Sequence, residues 1–364
     1  MSRIISTAVV VTAILSAAGA QAQVPAGYPA DYASIVEAAK KEGKVVIYST
    51  TDSVAANPLV KDFEALYPGI KVEYSDLNST ELYNRYIAEA AANNGTGDLI
   101  WSSAMDLQVK LVADGHALTY ASPEIKALPK WAVWKDTAYG TTYEPIAFVY
   151  NKRLVPAEDV PKDHSDLLKL LNAKSDFYKG KITAYDPERS GVGFLFCTED
   201  IKNFPAAWDL FKAFGKVQAK LYTSAGAMME RVTSGEHLIA YGIFGSYALA
   251  RSKKDPNLGI VLPKDYTMVT SRVAFISNKA KNPNAAKLFL DYILSKRGQE
   301  IIANKADLYS LRSDVDGEAT IKGVTQLIGD KARPVPIDQT LLENLDQAKR
   351  LAFLSKWQQA KKGQ

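Results

Sequence analysis

Three strand-like runs near the start of the chain fix its class. KVVIYS begins at Lys44, KVEYS at Lys71 and DLIWSS at Asp98, each 27 residues after the one before. A helical pattern fills each interval. Leu59, Val60, Phe63 and Leu66 fall on one helical face, with Asn57-Pro58 as its expected start and Pro68-Gly69 as its stop. Leu82, Ile87 and several alanines follow Asn78-Ser79-Thr80, and Asn94-Gly95 closes that second helix. A β-α-β-α-β series with short connections requires a parallel sheet with right-handed crossovers.

A second α/β unit follows. Strands are expected at 147–150, 182–185, 238–241 and 259–262, with helices between them. The run YTMVTSRVAFIS, 266 to 277, reads as one long β-rich stretch, and Asn282-Pro283 opens an amphipathic helix over 285–303. After Ala306 the pattern weakens, with a break at Pro334 and Pro336 and a final helix about 341–359. Two such sheets in one chain place a ligand site outside the carboxyl ends of the strands, between the units.

Composition narrows the function. Of the 364 residues, 47% are hydrophobic and 23% charged, which suits real cores and argues against long disorder. The net charge of +4 is spread evenly, with no basic tract for nucleic acid. Residues 1–22 read as a cleaved secretory signal: Arg3, an apolar stretch from Ile4 to Ala18, and Ala20-Gln21-Ala22 before a new start at Gln23. The expectation is a periplasmic protein. Cys197, the only cysteine, allows no intramolecular disulfide and reads as a small buried side chain. His116, His164 and His237 form no cluster, and no H-E-x-x-H, G-x-S-x-G, C-x-x-C, Walker or G-x-G-x-x-G motif occurs. No cofactor is called for. An enzyme is not expected, although a secreted hydrolase with carboxylates distant in sequence would escape such a search.

Several segments resemble a known family: GKVVIYSTTDS…LVKDFEALYPGIKVEY, GDLIWSSAMD, YNKRLVP, AYDPERSGVGF and NPNAAKLFLDYILSKRGQE. Their order and spacing look like the periplasmic solute-binding proteins of ABC importers, in the branch that includes ferric-ion, sugar-phosphate and phosphonate binders. The resemblance implies an α/β, two-lobed periplasmic-binding-protein type II fold. Each lobe would be a mostly parallel sheet flanked by helices, and two hinge strands would join them. It implies 23–144 as the first part of lobe 1, 145–268 as lobe 2, 269–305 as the return to lobe 1, and 306–364 as a C-terminal helical tail. The crossings would lie near Pro145–Tyr150 and Val269–Ile276. It also implies a small-molecule anionic ligand, an inner-membrane ABC permease as partner, and a monomer.

The candidate contacts sit at strand ends. Ser49, Thr50, Thr51 and Asp52 follow the first strand, where hydroxyls donate to an anion and Asp52 accepts from a sugar hydroxyl. Capping of the next helix explains only one or two of these polar groups. Ser102 and Ser103 hold the equivalent place after the third strand. Arg189, Ser190 and Gly191 open a helix after a fourth strand, with amides reachable by an anion and a charge beside them. A plain helix entry with Arg189 solvated fits the same residues. Tyr241 and Tyr247 mark another strand end, and Tyr143 lies beside the first implied crossing. Arg272, inside the second, needs a carboxylate partner, from the protein or from the ligand. A phosphate ester, phosphonate or carboxylate fits this set. The iron(III) alternative is weakened because 19 tyrosines include no adjacent pair, and Tyr241 and Tyr247 stand six residues apart.

Overall fold

The computed structural model describes residues 24–25, 27–92 and 97–364, so the expected signal segment 1–22 lies outside the described residues, as does Asn94-Gly95. Among the described residues thirteen short strands form two sheets. The first sheet holds β1 (Lys44–Ser49), β2 (Lys71–Asp76), β3 (Leu99–Ser102), β4 (Val133–Trp134) and β5 (Ala138–Gly140), and also β12 (Val273–Ile276). The second holds β6 (Glu144–Asn151), β7 (Ile182–Tyr185), β8 (Lys220–Tyr222), β9 (Ile239–Phe244), β10 (Leu258–Val261), β11 (Thr267–Thr270) and β13 (Ala332–Pro334). The N-terminal rhythm is a parallel β2-β1-β3 core, as its spacing requires, and β12, β5 and β4 extend it antiparallel. In the second sheet β9, β7 and β8 are parallel, and β6 runs against β9.

The first helix after β1 begins at Ser53 rather than at Pro58, which lies inside the helix Ser53–Leu66. Asp76 supplies the missing start signal: its carboxylate accepts from the Ser53 amide at 2.8 Å. Pro58 lacks the N–H that would reach the carbonyl of Val54, which is itself exposed and open to solvent. The next helix, Ser79–Ala91, starts where expected, with Asn78 capping Glu81. The helix expected over 285–303 is broken in two, Pro283–Leu294 and Lys296–Asn304. Ser295 leaves the helical backbone and caps the second piece through Gly298.

The lobes connect through 141–143 going out and 271–272 coming back. The outgoing crossing falls just before the suggested Pro145–Tyr150, which belongs to β6 inside the second sheet, while the returning one lies within the suggested Val269–Ile276. The run 266–277 is not one strand but two, β11 in the second sheet and β12 in the first. Side chains pin this crossover. Thr142 Oγ1 accepts from the Arg272 amide (3.0 Å), and Ser271 Oγ accepts from the amides of Thr141 and Thr142 (3.1 and 3.2 Å).

Residues past Ala306 do not form a loose tail. Leu308, Leu311 and Val324 are buried in the core of the first lobe. β13 then pairs with β11, and the helix Gln347–Ala360 packs on the second lobe through Phe353 and Trp357. Among the described residues no helix is long and apolar enough to cross a membrane.

Candidate functional site

The carboxyl ends of β1, β2 and β3 face those of β7, β8 and β9 across a cleft of about 210 Å³. Lobe 1 lines it with Thr50, Asp52, Asp76, Asn78, Ser79, Glu81 and Ser103. Lobe 2 supplies Tyr185, Ser190, Ser224, Phe244 and Tyr247, and Arg272 comes from the returning crossing. The lobes touch over this cleft. Tyr247 Oη donates to Asp52 Oδ1 at 3.1 Å, and Thr80 Oγ1 donates to the Arg189 carbonyl at 3.2 Å. A Cβ on Gly191 would lie 2.7 Å from Leu107 Cδ1 and 3.2 Å from Ser79 Oγ, so a larger residue there must displace side chains of the facing lobe.

The two walls differ electrically. Helices start at Ser53, Ser79 and Met105 on the cleft side of lobe 1, and each already has an acid at its start: Asp76 at the end of β2 accepts from the Ser53 amide, and Glu81 and Asp106 lie in the first turns of the other two. On lobe 2 the helices Gly191–Asn203 and Ala225–Ser234 are capped only by neutral serines, Ser190 onto Gly193 and Ser224 onto Ala227, with no acid in either first turn. The lobe 2 wall therefore attracts negative charge, and the lobe 1 wall attracts hydrogen-bond donors.

Arg272 sits at the junction and is 1% exposed. Its Nε donates to Glu144 Oε1 at 3.4 Å, and its Nη1 donates to Thr51 Oγ1 at 3.1 Å. Its charge also lies over the Tyr247 ring, 5.1 Å from the centroid. Nη2 finds no partner, and neither does Glu144 Oε2. Burial pushes the fully buried Glu144 carboxyl upward, against the pull of Arg272.

Six of the residues singled out in the sequence line the cleft: Thr50, Asp52, Ser103, Ser190, Tyr247 and Arg272. Ser49, Thr51 and Ser102 lie buried beneath it and hold its backbone. Ser49 Oγ accepts from the Thr51 amide, and Ser102 Oγ accepts from the Ala104 amide. Three candidates lie elsewhere. Tyr241 turns into the core of lobe 2 and donates to Asp200 at 2.6 Å. Gly242, at φ 74, breaks the strand's two-residue alternation there, so Phe244 reaches the cleft instead, joined by Tyr247 from the helix Gly245–Ser252. Tyr143 packs in the lobe 1 core beside Trp131. The Arg189 side chain is exposed, and only its carbonyl meets the other lobe. Asp76, Glu81, Tyr185 and Ser224 were missed. Asp76 ends β2 and was open to the same strand-end rule, whereas Ser224 follows the three-residue β8, which carries no readable pattern.

Asp106 marks where the lobes meet, on a helix packed against Gly191–Asn203. Its Oδ1 accepts from the Leu107 amide at 2.9 Å, yet burial pushes its carboxyl up to about 7. The folded state thus holds this proton to about pH 7, while the unfolded chain releases it near pH ~4. Its contribution to stability is fully present below about pH 4 and is lost as pH rises through about 7. Asp106→Asn should raise stability by about 2–4 kcal/mol at pH 8 and far less at pH 4.5. Urea midpoints at the two pH values check this, and an equal gain at both would show that Asp106 titrates normally.

This architecture defines a class: two α/β lobes joined by paired crossings, closing on a solute that is held and not reacted. Residues 58–326 match the family of bacterial extracellular solute-binding proteins, and the chain belongs to it. It is similar to the substrate-binding protein of an ABC transporter from Agrobacterium tumefaciens, with 38% identity over 87% of this chain and 94% of that one, and a TM-score of 0.84. It is also similar in fold to AfuA from Actinobacillus pleuropneumoniae, solved with exogenous fructose-6-phosphate bound (24% identity, 88% and 99% covered, TM-score 0.68). Iron-bound HitA from Pseudomonas aeruginosa shares the fold at 19% identity, 87% and 99% covered, with a TM-score of 0.69. The protein is a non-enzymatic solute-binding component of an ABC transporter with the type II periplasmic-binding fold, and its family membership implies export to the periplasm.

Proposed function

We propose that the protein captures a small organic anion (a phosphate ester, phosphonate or carboxylate) in the periplasm as a monomer and delivers it to an inner-membrane permease. One observation carries this: the buried Arg272, with Nη2 unpaired, stands at the cleft beside two lobe 2 helices whose positive ends are capped only by serine. Guanidinium and helix amides together suit an oxyanion. Asp52 and Asn78 on the facing wall suit the hydroxyl or amino groups of the same ligand. That AfuA was solved with a sugar phosphate supports phosphate esters as the first compounds to try.

The iron reading has one feature in its favour, since Tyr185 and Tyr247 both line the cleft. Against it, burial pushes both hydroxyls upward, Tyr247 to about 12, which opposes tyrosinate, and Arg272 repels a cation. Among the described residues no group of three or more His, Cys, Asp or Glu is placed to hold a metal. Calorimetry against fructose-6-phosphate, glycerol phosphate, an alkylphosphonate and small carboxylates tests the proposal, and ferric citrate tests the other reading. Saturable binding of one anion with a colourless protein in ferric citrate is expected. A visible tyrosinate-to-iron absorption band, lost in Tyr247→Phe, would replace the organic anion with iron.

A further inference from the structure

A second groove of about 520 Å³ lies outside the cleft, within the ~300–1,000 Å³ typical of small-molecule sites. Leu249, Ile260 and Leu262 of lobe 2 form one wall, and Leu327 and Ile328 form the other. Those last two belong to the helix Ile321–Ile328, whose Val324 is buried in the core of lobe 1. The groove therefore straddles both lobes. Leu327, on that second wall, is 65% exposed.

Its ends differ in charge. Lys331 directly precedes β13, whose Ala332 pairs with Thr267, and Lys264 lies three residues before Thr267, so both lysines stand at one end. Tyr309 and Gly245 mark the other end, toward the hinge. The Tyr309 carbonyl accepts from the Tyr143 amide, and Gly245 abuts Pro145. Glu318, near the Ser310–Thr320 bridge, sits on this hinge side as well. An apolar trough with two cations at one end and a carboxylate at the other is complementary to a linear amphiphile with one negative head. Asp330 lies 3.7 Å from Lys331 and is 89% exposed, so the pair is solvent-screened and leaves most of that lysine's charge available.

We propose that this groove is a second ligand site, taking a straight-chain aliphatic carboxylate whose head meets Lys264 and Lys331 and whose chain lies along Leu249, Ile260 and Leu327. Occupancy is linked to the cleft, because the helix Gly245–Ser252 carries Tyr247 to Asp52 on one side and Leu249 to the groove on the other. A molecule bridging both lobes favours one lobe angle, and by reciprocity that angle sets the affinity of the cleft.

Decanoate, kept below its micellar range, is the probe, with methyl decanoate as its uncharged control and the full-length protein as the sample. Calorimetry should show saturable binding of one decanoate, about tenfold weaker binding of the ester, and a tenfold loss in a Lys264→Glu, Lys331→Glu double variant. Both lysines are exposed, so that variant folds. Ile260→Trp, which fills the trough, should abolish binding, and small-angle scattering should show a changed radius of gyration with decanoate. No saturable binding, equal binding of acid and ester, or indifference to the charge reversal would each overturn the site. Displacement of decanoate by a cleft-binding phosphate ester in the Ile260→Trp protein would also overturn it, because decanoate would then be sitting in the cleft.

Discussion

Arg272→Met is expected to weaken binding of the cleft anion by about 10–100-fold, the scale of a charge-assisted hydrogen bond, and to destabilise the protein by about 3–5 kcal/mol, because Glu144 is left buried without its cation. Both effects follow from one geometry. The guanidinium spends Nε on Glu144 and Nη1 on Thr51, its Nη2 is buried without a partner, and the residue lines the cleft. It therefore ties β1 of lobe 1 to Glu144, the first residue of β6 in lobe 2. Arg272→Lys retains a charge but not the planar fork, so it cannot reach Glu144, Thr51 and a bound anion in the same geometry. The double variant Arg272→Met with Glu144→Gln removes the stranded charge and should recover much of the stability while leaving binding weak. Chemical denaturation alongside calorimetry separates these outcomes. If Arg272→Met lost stability but kept full affinity, the arginine would be a hinge clamp with no part in recognition.

That both roles meet in one residue was half visible in the chain itself. An arginine inside a β-rich run must find a carboxylate, but the sequence offers no means of choosing Glu144 over a ligand. The crossover was illegible for a related reason. Val269 and Val273 carry the same strand pattern whether they join one sheet or two, and the switch is made by Thr142 and Ser271 hydroxyls acting across about 130 residues of chain. Local signals did better. Asn78 capping Glu81, and β1 to β3 at equal spacing, are set by neighbours a few residues away, and they appear where their residues place them. Strand-end reasoning found Thr50, Asp52, Ser103 and Ser190 because the carboxyl ends of buried parallel strands converge by topology alone. It failed at Tyr241, where one left-handed glycine reverses which side chains face the cleft. It also failed wherever a strand was too short to show a period, as at β8 and β13.

Removal of residues 346–364 should be still more damaging than the loss of Arg272. The segment before this helix crosses between lobes: the Val335 amide reaches Val269 of lobe 2, and the Ile337 amide then reaches Trp131 of lobe 1. The turn Gln339–Leu345 lies against the lobe 1 helix Met105–Ala113. The helix Gln347–Ala360 returns to lobe 2, where Phe353 meets Phe194 edge-on at 5.0 Å and Trp357 meets Phe211 at 5.6 Å. Truncating either aromatic to alanine costs about 3–5 kcal/mol. Deleting the whole helix uncovers Phe194, Trp208 and Phe211 together, which should leave little folded protein and an aggregating remainder. Binding should suffer before folding fails, because Phe194 lies on the first turn of the helix whose Ser190 cap forms the cleft wall. A single atom tests the same contact more gently. A Cβ on Gly215 would fall 2.0 Å from the Ala360 carbonyl, so Gly215→Ala must push the end of the tail helix away. Gly215→Ala should then lower the urea midpoint in the full-length chain and have almost no effect in a chain ending at 358, which keeps Phe353 and Trp357 but lacks the backbone the Cβ would meet. An equal loss in both would place the strain within the helix Ala207–Lys216 and not between that helix and the tail.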